Sequence, residues 1–345
     1  MRTVAISHKT RYWQEYCFNN PPEGYRYVRG WDMPWHLLGL RSESVVNTKV
    51  FLPKGGTDLY HTYNGVVANA HPWVVEVEDY LPRYEQLSRS HPLFKWALRR
   101  LAGKHCKALI YTSREAMGRN RAGLEAAGVD PEKMTVIYRA VEQYAPLERA
   151  ADRFTILFAG NGFFRKGGME LLKAFKALGH PEARLVIISR LEVDWGVFPG
   201  NDTIEWARKA IADDPRIVLL EELPHAQVIE QMRKADVFVG TTFMDPFNNT
   251  VLEAMGCRVP VICSDVGALP EVVRDGTNGW MLSVKGRTSD DIAEEVAARL
   301  RQLMDDPGLR QRMGTANDAI IGERFNLQVR NAALGCLYDA ALADR

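Results

Sequence analysis

From residue 154 onward, short β-branched apolar runs alternate with helical segments. Phe154–Ala159, Arg184–Ser189, Arg216–Leu220, Asp236–Gly240 and Val259–Ser264 are such runs, with helical patterns over Gly168–Leu178 and around Gln227–Lys234. That rhythm leaves little choice but successive βα units, which build an α/β fold with a parallel sheet covered on both faces. Open sheets of this kind take ligands at the carboxyl ends of their strands. Chemistry is therefore expected in the loops after Ala159, Ser189, Leu220, Gly240 and Ser264.

The first half is less regular. Thr3–Ile6, Val50–Leu52, Asp58–His61, Trp73–Val77 and Ala108–Thr112 read as strands, and Leu93–Ala102 and Arg114–Ala127 as helices. Val136–Ile137 reads as a last strand before a linker at Ala145–Asp152, while the aromatic, Pro- and Gly-rich stretch Arg11–Leu40 yields no assignment. A chain of 345 residues exceeds one comfortable core, so two domains are expected, divided near residue 148.

Composition narrows the function. The 44 Lys+Arg against 43 Asp+Glu exclude a dedicated nucleic-acid coat or an acidic disordered tail. The near-zero total hides an asymmetry: residues 1–150 carry 21 Lys+Arg against 15 Asp+Glu, and the remainder 23 against 28. No apolar run approaches the roughly 18–20 residues of a membrane span, and Met1–Lys9 has no secretory apolar core. Five cysteines, an odd number without C-x-x-C spacing, argue for reduced thiols and a cytoplasmic setting.

The most informative segment is Thr241–Val273. A strand ends at Gly240, the turn Asp245-Pro246-Phe247-Asn248-Asn249 follows, and a helix is expected to begin near Thr250. Such a helix start, with unpaired amides and a positive dipole end, can hold an anion such as a diphosphate. Asp245 precedes it and Glu253 lies one turn inside. Carboxylates beside an anion site make sense as acceptors of hydrogen bonds from sugar and ribose hydroxyls. The plain alternative is a capped helix, with Asn249 as N-cap and Glu253 solvated.

Asp245-x7-Glu253, Ala254-Met255, Val259-Pro260-Val261, Gly267, Pro270-Glu271 and Asp275-Gly276-x-Asn278-Gly279 together resemble the retaining GT-B glycosyltransferases of family 4. The resemblance implies two Rossmann-like domains facing across a cleft, 1–148 on the acceptor side and 149–324 on the donor side. A C-terminal helix, 325–345, would cross back to the first. It implies that Glu253 binds the ribose of a nucleoside-diphosphate sugar and that Asp245, in place of the family's first Glu, sits by the transferred sugar. Backbone amides at Phe247 and Asn248 would meet sugar hydroxyls, and those of Thr250 and Val251 the phosphates. Asn248 stands where the family has Gly, a replacement that a left-handed turn conformation would tolerate.

Gly160-Asn161-Gly162-Phe163-Phe164-Arg165-Lys166-Gly167-Gly168 directly follows a strand, and its small residues let backbone and a cation approach phosphate. It fails as a dinucleotide fingerprint, because Arg165 stands at the third Gly, and as a Walker A loop, which needs Gly-Lys-Ser/Thr. It is similar to the family's G-R-x4-K-G loop, in which Arg and Lys neutralise the donor diphosphate. Lys166 matches the Lys, Asn161 replaces the Arg, and Arg165 is the candidate for the missing charge. A solvated basic turn is the alternative.

The first half matches the family less well. Glu78-Asp79 stands where the family has His-Asp, which makes Glu78, Asp79 and the nearby His61 acceptor-side candidates, with His71 a further substitute. A lone histidine is as easily structural. His8-Lys9-Thr10 replaces an early Gly-Gly loop, Lys54-Gly55-Gly56 falls between later elements, and Tyr138-Arg139-Ala140-Val141-Glu142 replaces a P-N-G-V-D turn. Glu76 and Glu78 mimic a D-x-D metal motif but show no third ligand, and the family needs neither metal nor cofactor.

Between Glu85 and Glu115 there is no acidic residue, while Arg89, Lys95, Arg99, Arg100, Lys104, Lys107 and Arg114 fall there. Helical spacing groups Phe94, Leu98 and Leu101 and sets Trp96 among cations, a pattern suited to a membrane surface through residues 89–107 or to a core-packed helix with a solvated basic face.

The expectation is therefore a metal-independent retaining transferase. It would move a sugar from a nucleoside diphosphate to a glycan, lipid-linked or small-molecule hydroxyl, with Lys166, Asp245 and Arg165 at the chemistry and donor selectivity in loops near Leu191–Asp194 and Glu221–Leu223. A nucleotide-sugar epimerase on the same fold and a non-catalytic nucleotide-sugar-binding or membrane-docking module fit the same residues.

Overall fold

The computed structural model describes residues 1–7, 16–31, 33, 42–52, 56–147, 153–191 and 196–343. The His8-Lys9-Thr10 segment, most of Lys54-Gly55-Gly56, residues 148–152 of the expected linker and residues 192–194 of the expected selectivity loop lie outside these. The chain forms two compact units, one of Met1–Ala140 with Arg324–Arg345 and one of Val141–Glu323.

The first unit is built on a six-stranded parallel sheet. Its strands are β1 (Arg2–Ile6), β2 (Tyr25–Arg29), β4 (Leu59–Tyr63), β6 (Trp73–Val77), β7 (Cys106–Tyr111) and β8 (Met134–Val136), in the order β2-β1-β4-β6-β7-β8. Strands β3 (Thr48–Lys49) and β5 (Val66–Val67) pair separately. Strand alternation sorts side chains onto two faces. Trp73, Val75, Val77, Leu109 and Tyr111 join a core shared with helices α1 (Pro92–Ala102) and α2 (Arg114–Glu125). Val4, Leu59, Val74, Ala108 and Ile110 face the other way and pack against Leu334, Tyr338, Ala341 and Leu342. Those four belong to the long helix Leu327–Ala343, which returns to the first unit after the second is complete.

In α1, Ala97 and Leu101 are fully buried, and Leu93, Phe94, Trp96 and Leu98 pack partly buried against the same core. This corrects the placement of Trp96 among solvated cations. At about 100° per residue the apolar arc runs from Trp96 through Leu93, Ala97, Leu101 and Phe94 to Leu98, leaving Lys95 and Arg99 outside it. Arg100 falls inside the arc and is spent locally, donating to the carbonyls of Val67 (3.0 Å) and Asn69 (2.6 Å).

The second unit carries β9 (Phe154–Ala159), β10 (Ala183–Ile188), β11 (Ile217–Leu220), β12 (Val237–Gly240), β13 (Val261–Ser264) and β14 (Gly279–Leu282). All pair in parallel, in the order β11-β10-β9-β12-β13-β14. Helices α3 (Gly168–Leu178), α4 (Asn201–Ala212), α5 (His225–Lys234), α6 (Asn249–Gly256), α7 (Ser289–Asp305) and α8 (Pro307–Arg324) complete it. From β9 the chain first runs outward through β10 and β11, then returns to lay β12 on the other side of β9. That reversal makes the carboxyl ends of β9 and β12 the topological switch point, where adjacent loops diverge and leave a crevice.

Candidate functional site

Both informative sequence segments open at this switch point. The Gly160–Gly168 loop leaves β9, and Thr241–Asn248 leaves β12 and enters α6. The first loop is tightly wound: Lys166 N donates to Gly162 O and Gly168 N to Phe163 O. Gly167 has φ +80°, and a Cβ there would overlap Thr241 Oγ1 and its carbonyl, so the loops meet where only glycine fits. The Lys166 side chain lies across Gly160, where a Cβ would come within 3.0 Å of Lys166 Cδ.

Arg165 stitches the loops together. Its carbonyl accepts from Phe243 N (2.9 Å), and its buried guanidinium donates to Met244 O (2.6 Å) and lies 3.6 Å from Asp245 Oδ2. Lys166 Nζ stands 3.4 Å from the same oxygen. The two cations thus flank one carboxylate, whereas Asn161 is exposed at the loop tip.

Helix α6 starts one residue earlier than expected, with Asn248 at the N-cap rather than Asn249. Asn248 adopts φ −76°, ψ 94°, so the expected left-handed conformation is not used. Its Oδ1 accepts from Thr250 Oγ1 (2.6 Å) instead of capping an amide, and Nδ2 is buried with no partner among the described residues. Phe247, Thr250 and Val251 are buried as well. Glu253 is only 5% exposed rather than solvated, its Oε1 3.1 Å from His225 Nε2 and its Oε2 without a partner. Thr241 Oγ1 and Ser189 Oγ, at the ends of β12 and β10, are also buried and unpartnered. Buried polar atoms without a partner occur elsewhere among the described residues too, at Tyr111 and Thr112 for example; these four follow β10 and β12 or belong to the start and second turn of α6, at the end of the sheet where ligands of such folds bind. His225 carried no motif in the sequence; only its fold-imposed place at the start of α5 brings it to Glu253.

The acceptor-side candidates are all in the first unit. His61 and Glu76 share the sheet face of Val74 and Leu59, the face covered by Leu327–Ala343. There His61 Nδ1 meets Tyr338 Oη (2.6 Å), and Arg330 donates to Glu76 Oε2 (2.8 Å), all four side chains being buried. Burial pushes the His61 imidazole down to about 4, only partly offset by Glu76. His61 is therefore a core histidine bound within the fold. Glu78, just past β6, accepts from Arg139 (2.9 Å). Burial raises its carboxyl, but Arg139, Tyr63 and Arg83 outweigh that and hold it below the usual range. Asp79 pairs with Arg119 at 2.7 Å, and burial raises it despite that partner. Among the described residues no group of three His, Cys, Asp or Glu side chains is placed to hold a metal ion, no helix is long and apolar enough to cross a membrane, and all five cysteines are free.

The carboxyl edge of the second sheet thus carries Lys166 and Arg165 on either side of Asp245, the start of α6 and the buried Glu253, and comparison with known proteins gives the family. The family described as glycosyl transferases group 1 matches residues 142–319, more than half of the chain, and the chain belongs to it. The D-inositol 3-phosphate glycosyltransferase of Pseudarthrobacter chlorophenolicus is 29% identical over 266 residues, 76% of this chain and 60% of that one. Its namesake in Corynebacterium glutamicum is 30% identical over 235 residues, 62% of this chain and 53% of that one. The chain thus spans about half to three-fifths of the length of these curated relatives. Among solved structures, Anabaena HepE in complex with UDP superposes with a TM-score of 0.69 at 16% identity, over 99% of this chain and 100% of that one. Sucrose-phosphate synthase from Thermosynechococcus elongatus gives 0.70 at 16% identity, over the whole of both. The fold is GT-B.

Proposed function

We propose that the chain is a retaining, metal-independent glycosyltransferase that moves a sugar from a nucleoside diphosphate to a hydroxyl of a glycan, lipid-linked or small-molecule acceptor. The observation that carries this reading is that Lys166, after β9, stands beside Asp245, after β12, at the sheet reversal, with unpartnered buried polar atoms of Ser189, Thr241, Asn248 and Glu253 after β10 and β12 and in α6. They match a ligand with hydroxyls at both ends and a dianion between. Lys166, the glycine loop of Gly160 and Gly162, and the amide of Thr250 would hold the diphosphate; the Val251 amide, also expected there, donates to Asn248 O (3.2 Å). Glu253 would take the ribose, and Asp245, Phe247, Asn248 and Asn249 the transferred sugar.

The acceptor hydroxyl would attack the anomeric carbon on the face from which the diphosphate departs. The carbon–oxygen bond to phosphate breaks as the new glycosidic bond forms, and the hydroxyl proton passes to the leaving phosphate oxygen. Lys166, with Arg165 behind it, stabilises the charge that develops there. Glu78 and Asp79 are the first unit's candidates for acceptor contact; His61, enclosed by the fold, is no longer among them. A cytoplasmic location with peripheral membrane contact through residues 89–107 completes the proposal, carried by Lys95 and Arg99, which lie outside the apolar arc of α1.

The test is a binding screen of nucleoside-diphosphate sugars, followed by NMR of the product with acceptor panels. Net retention at the anomeric carbon with release of nucleoside diphosphate is expected. Isomerised donor without an acceptor would replace the reading with an epimerase, and donor binding with no turnover on any acceptor would make the chain a binding module.

A further inference from the structure

Helix α5 begins directly after the loop that leaves β11, and it packs against α6 and β9. Its first residue, His225, lies with Nε2 3.1 Å from Oε1 of Glu253. The two side chains differ in exposure: Glu253 is 5% exposed and His225 36%. A buried carboxylate has about four acceptor positions to satisfy. Here one oxygen is engaged by an imidazole and the other, Oε2, has no partner among the described residues. A carboxylate held on one side only, with the opposite oxygen buried and open, is oriented toward whatever donates to it.

We infer that His225 is a positioning residue for the nucleoside. By donating from Nε2 to Oε1 it fixes the Glu253 carboxylate in one rotamer, so that Oε2 is presented to the vicinal ribose hydroxyls of a nucleoside diphosphate. This rests on the donor reading above and deepens it, because it assigns the ribose contact to a pair of side chains from two helices rather than to Glu253 alone. Without His225, Glu253 would lose the partner on Oε1, and its carboxylate would be free to rotate away from the diol. Pre-orientation would be lost while the diphosphate contacts stayed intact, so the damage falls on binding rather than on the chemical step.

The test is calorimetric titration of the full chain with UDP, GDP and ADP, continued with whichever binds and with its 2′,3′-dideoxy form. His225→Ala is expected to weaken the ribonucleotide about tenfold and to raise KM with kcat within twofold. His225→Gln, whose amide N–H reaches the position of Nε2, is expected to restore binding to within about threefold. The dideoxy ligand should bind wild type and His225→Ala alike. If Glu253→Ala weakens the ribonucleotide but His225→Ala does not, or if His225→Ala weakens both ligands equally, the positioning role is wrong and the donor reading stands. If no diphosphate binds, or Glu253→Ala leaves binding unchanged, the donor reading itself falls and this inference with it. Circular dichroism and melting of each variant separate lost binding from lost fold; should His225→Ala melt early, His225→Asn, too short to reach Glu253, takes its place.

Discussion

Lys166 Nζ and Asp245 Oδ2 stand 3.4 Å apart although they come from loops on opposite sides of the sheet reversal, one after β9 and one after β12. A diphosphate bound at the start of α6 would compete with Asp245 for the ammonium. Lys166→Ala is therefore expected to lower kcat by about 10²-fold or more, the scale of losing one preorganised charge at a leaving group. Glu253→Ala should instead act mainly on KM for the donor. Nucleoside-diphosphate release under steady state measures both; near-wild-type rates in the two variants would sink the assignment.

Gly167 and Gly179 give a matched pair. Both have left-handed φ, +80° and +61°, but a side chain at Gly179 meets nothing within 4 Å, whereas one at Gly167 overlaps Thr241. Gly179→Ala should cost about 1 kcal/mol, the conformational part alone. Gly167→Ala should cost about 3 kcal/mol or more and abolish donor binding, because the loops must separate. Urea titration of the two variants reads the difference, and equal losses would contradict it.

The buried pair Glu76–Arg330 predicts a non-additive result. Arg330→Met strands a carboxylate in the core and should cost about 3–5 kcal/mol. Combined with Glu76→Leu, most of that loss should vanish, since two apolar groups replace two ions. A double-mutant cycle by chemical denaturation checks this; additive losses would mean that the pair is not coupled.

His61 makes stability depend on pH. Its folded value is about 4, against 6.5 for the free side chain, so between these the unfolded chain binds the extra proton. The contribution is fully present above about pH 6.5 and is lost as pH falls toward 4, on the order of 3 kcal/mol in all. His61→Gln should flatten that limb of a denaturation series at pH 4–7; an unchanged slope would assign it elsewhere.

The two loops at the carboxyl ends of β9 and β12 were legible in sequence because a strand end, a glycine turn and a helix start are set by neighbours in the chain. The contact of Arg165 was not, since its guanidinium donates to Met244 O, 79 residues away. Nor was that of His225, whose partner lies 28 residues on. Strand β14, four residues long, was hidden behind the Asp275–Gly279 turn, and β2, an edge strand flanked by Pro21-Pro22-Glu23-Gly24 and Gly30, carries too little apolar pattern to stand out. Trp96 was misplaced because three apolar positions define a helix face but not its width.

The return of Leu327–Ala343 to the first sheet also sets an order of events at the ribosome. The second unit is contiguous and can close as soon as residue 323 has emerged. Glu76 and His61, made early, must wait 254 and 277 residues for Arg330 and Tyr338. At about 5–20 residues per second, that delay is roughly 13–55 s. Through that interval one face of the first sheet stays uncovered, with an uncompensated carboxylate upon it, so the half of the protein that is translated first is the half that finishes folding last.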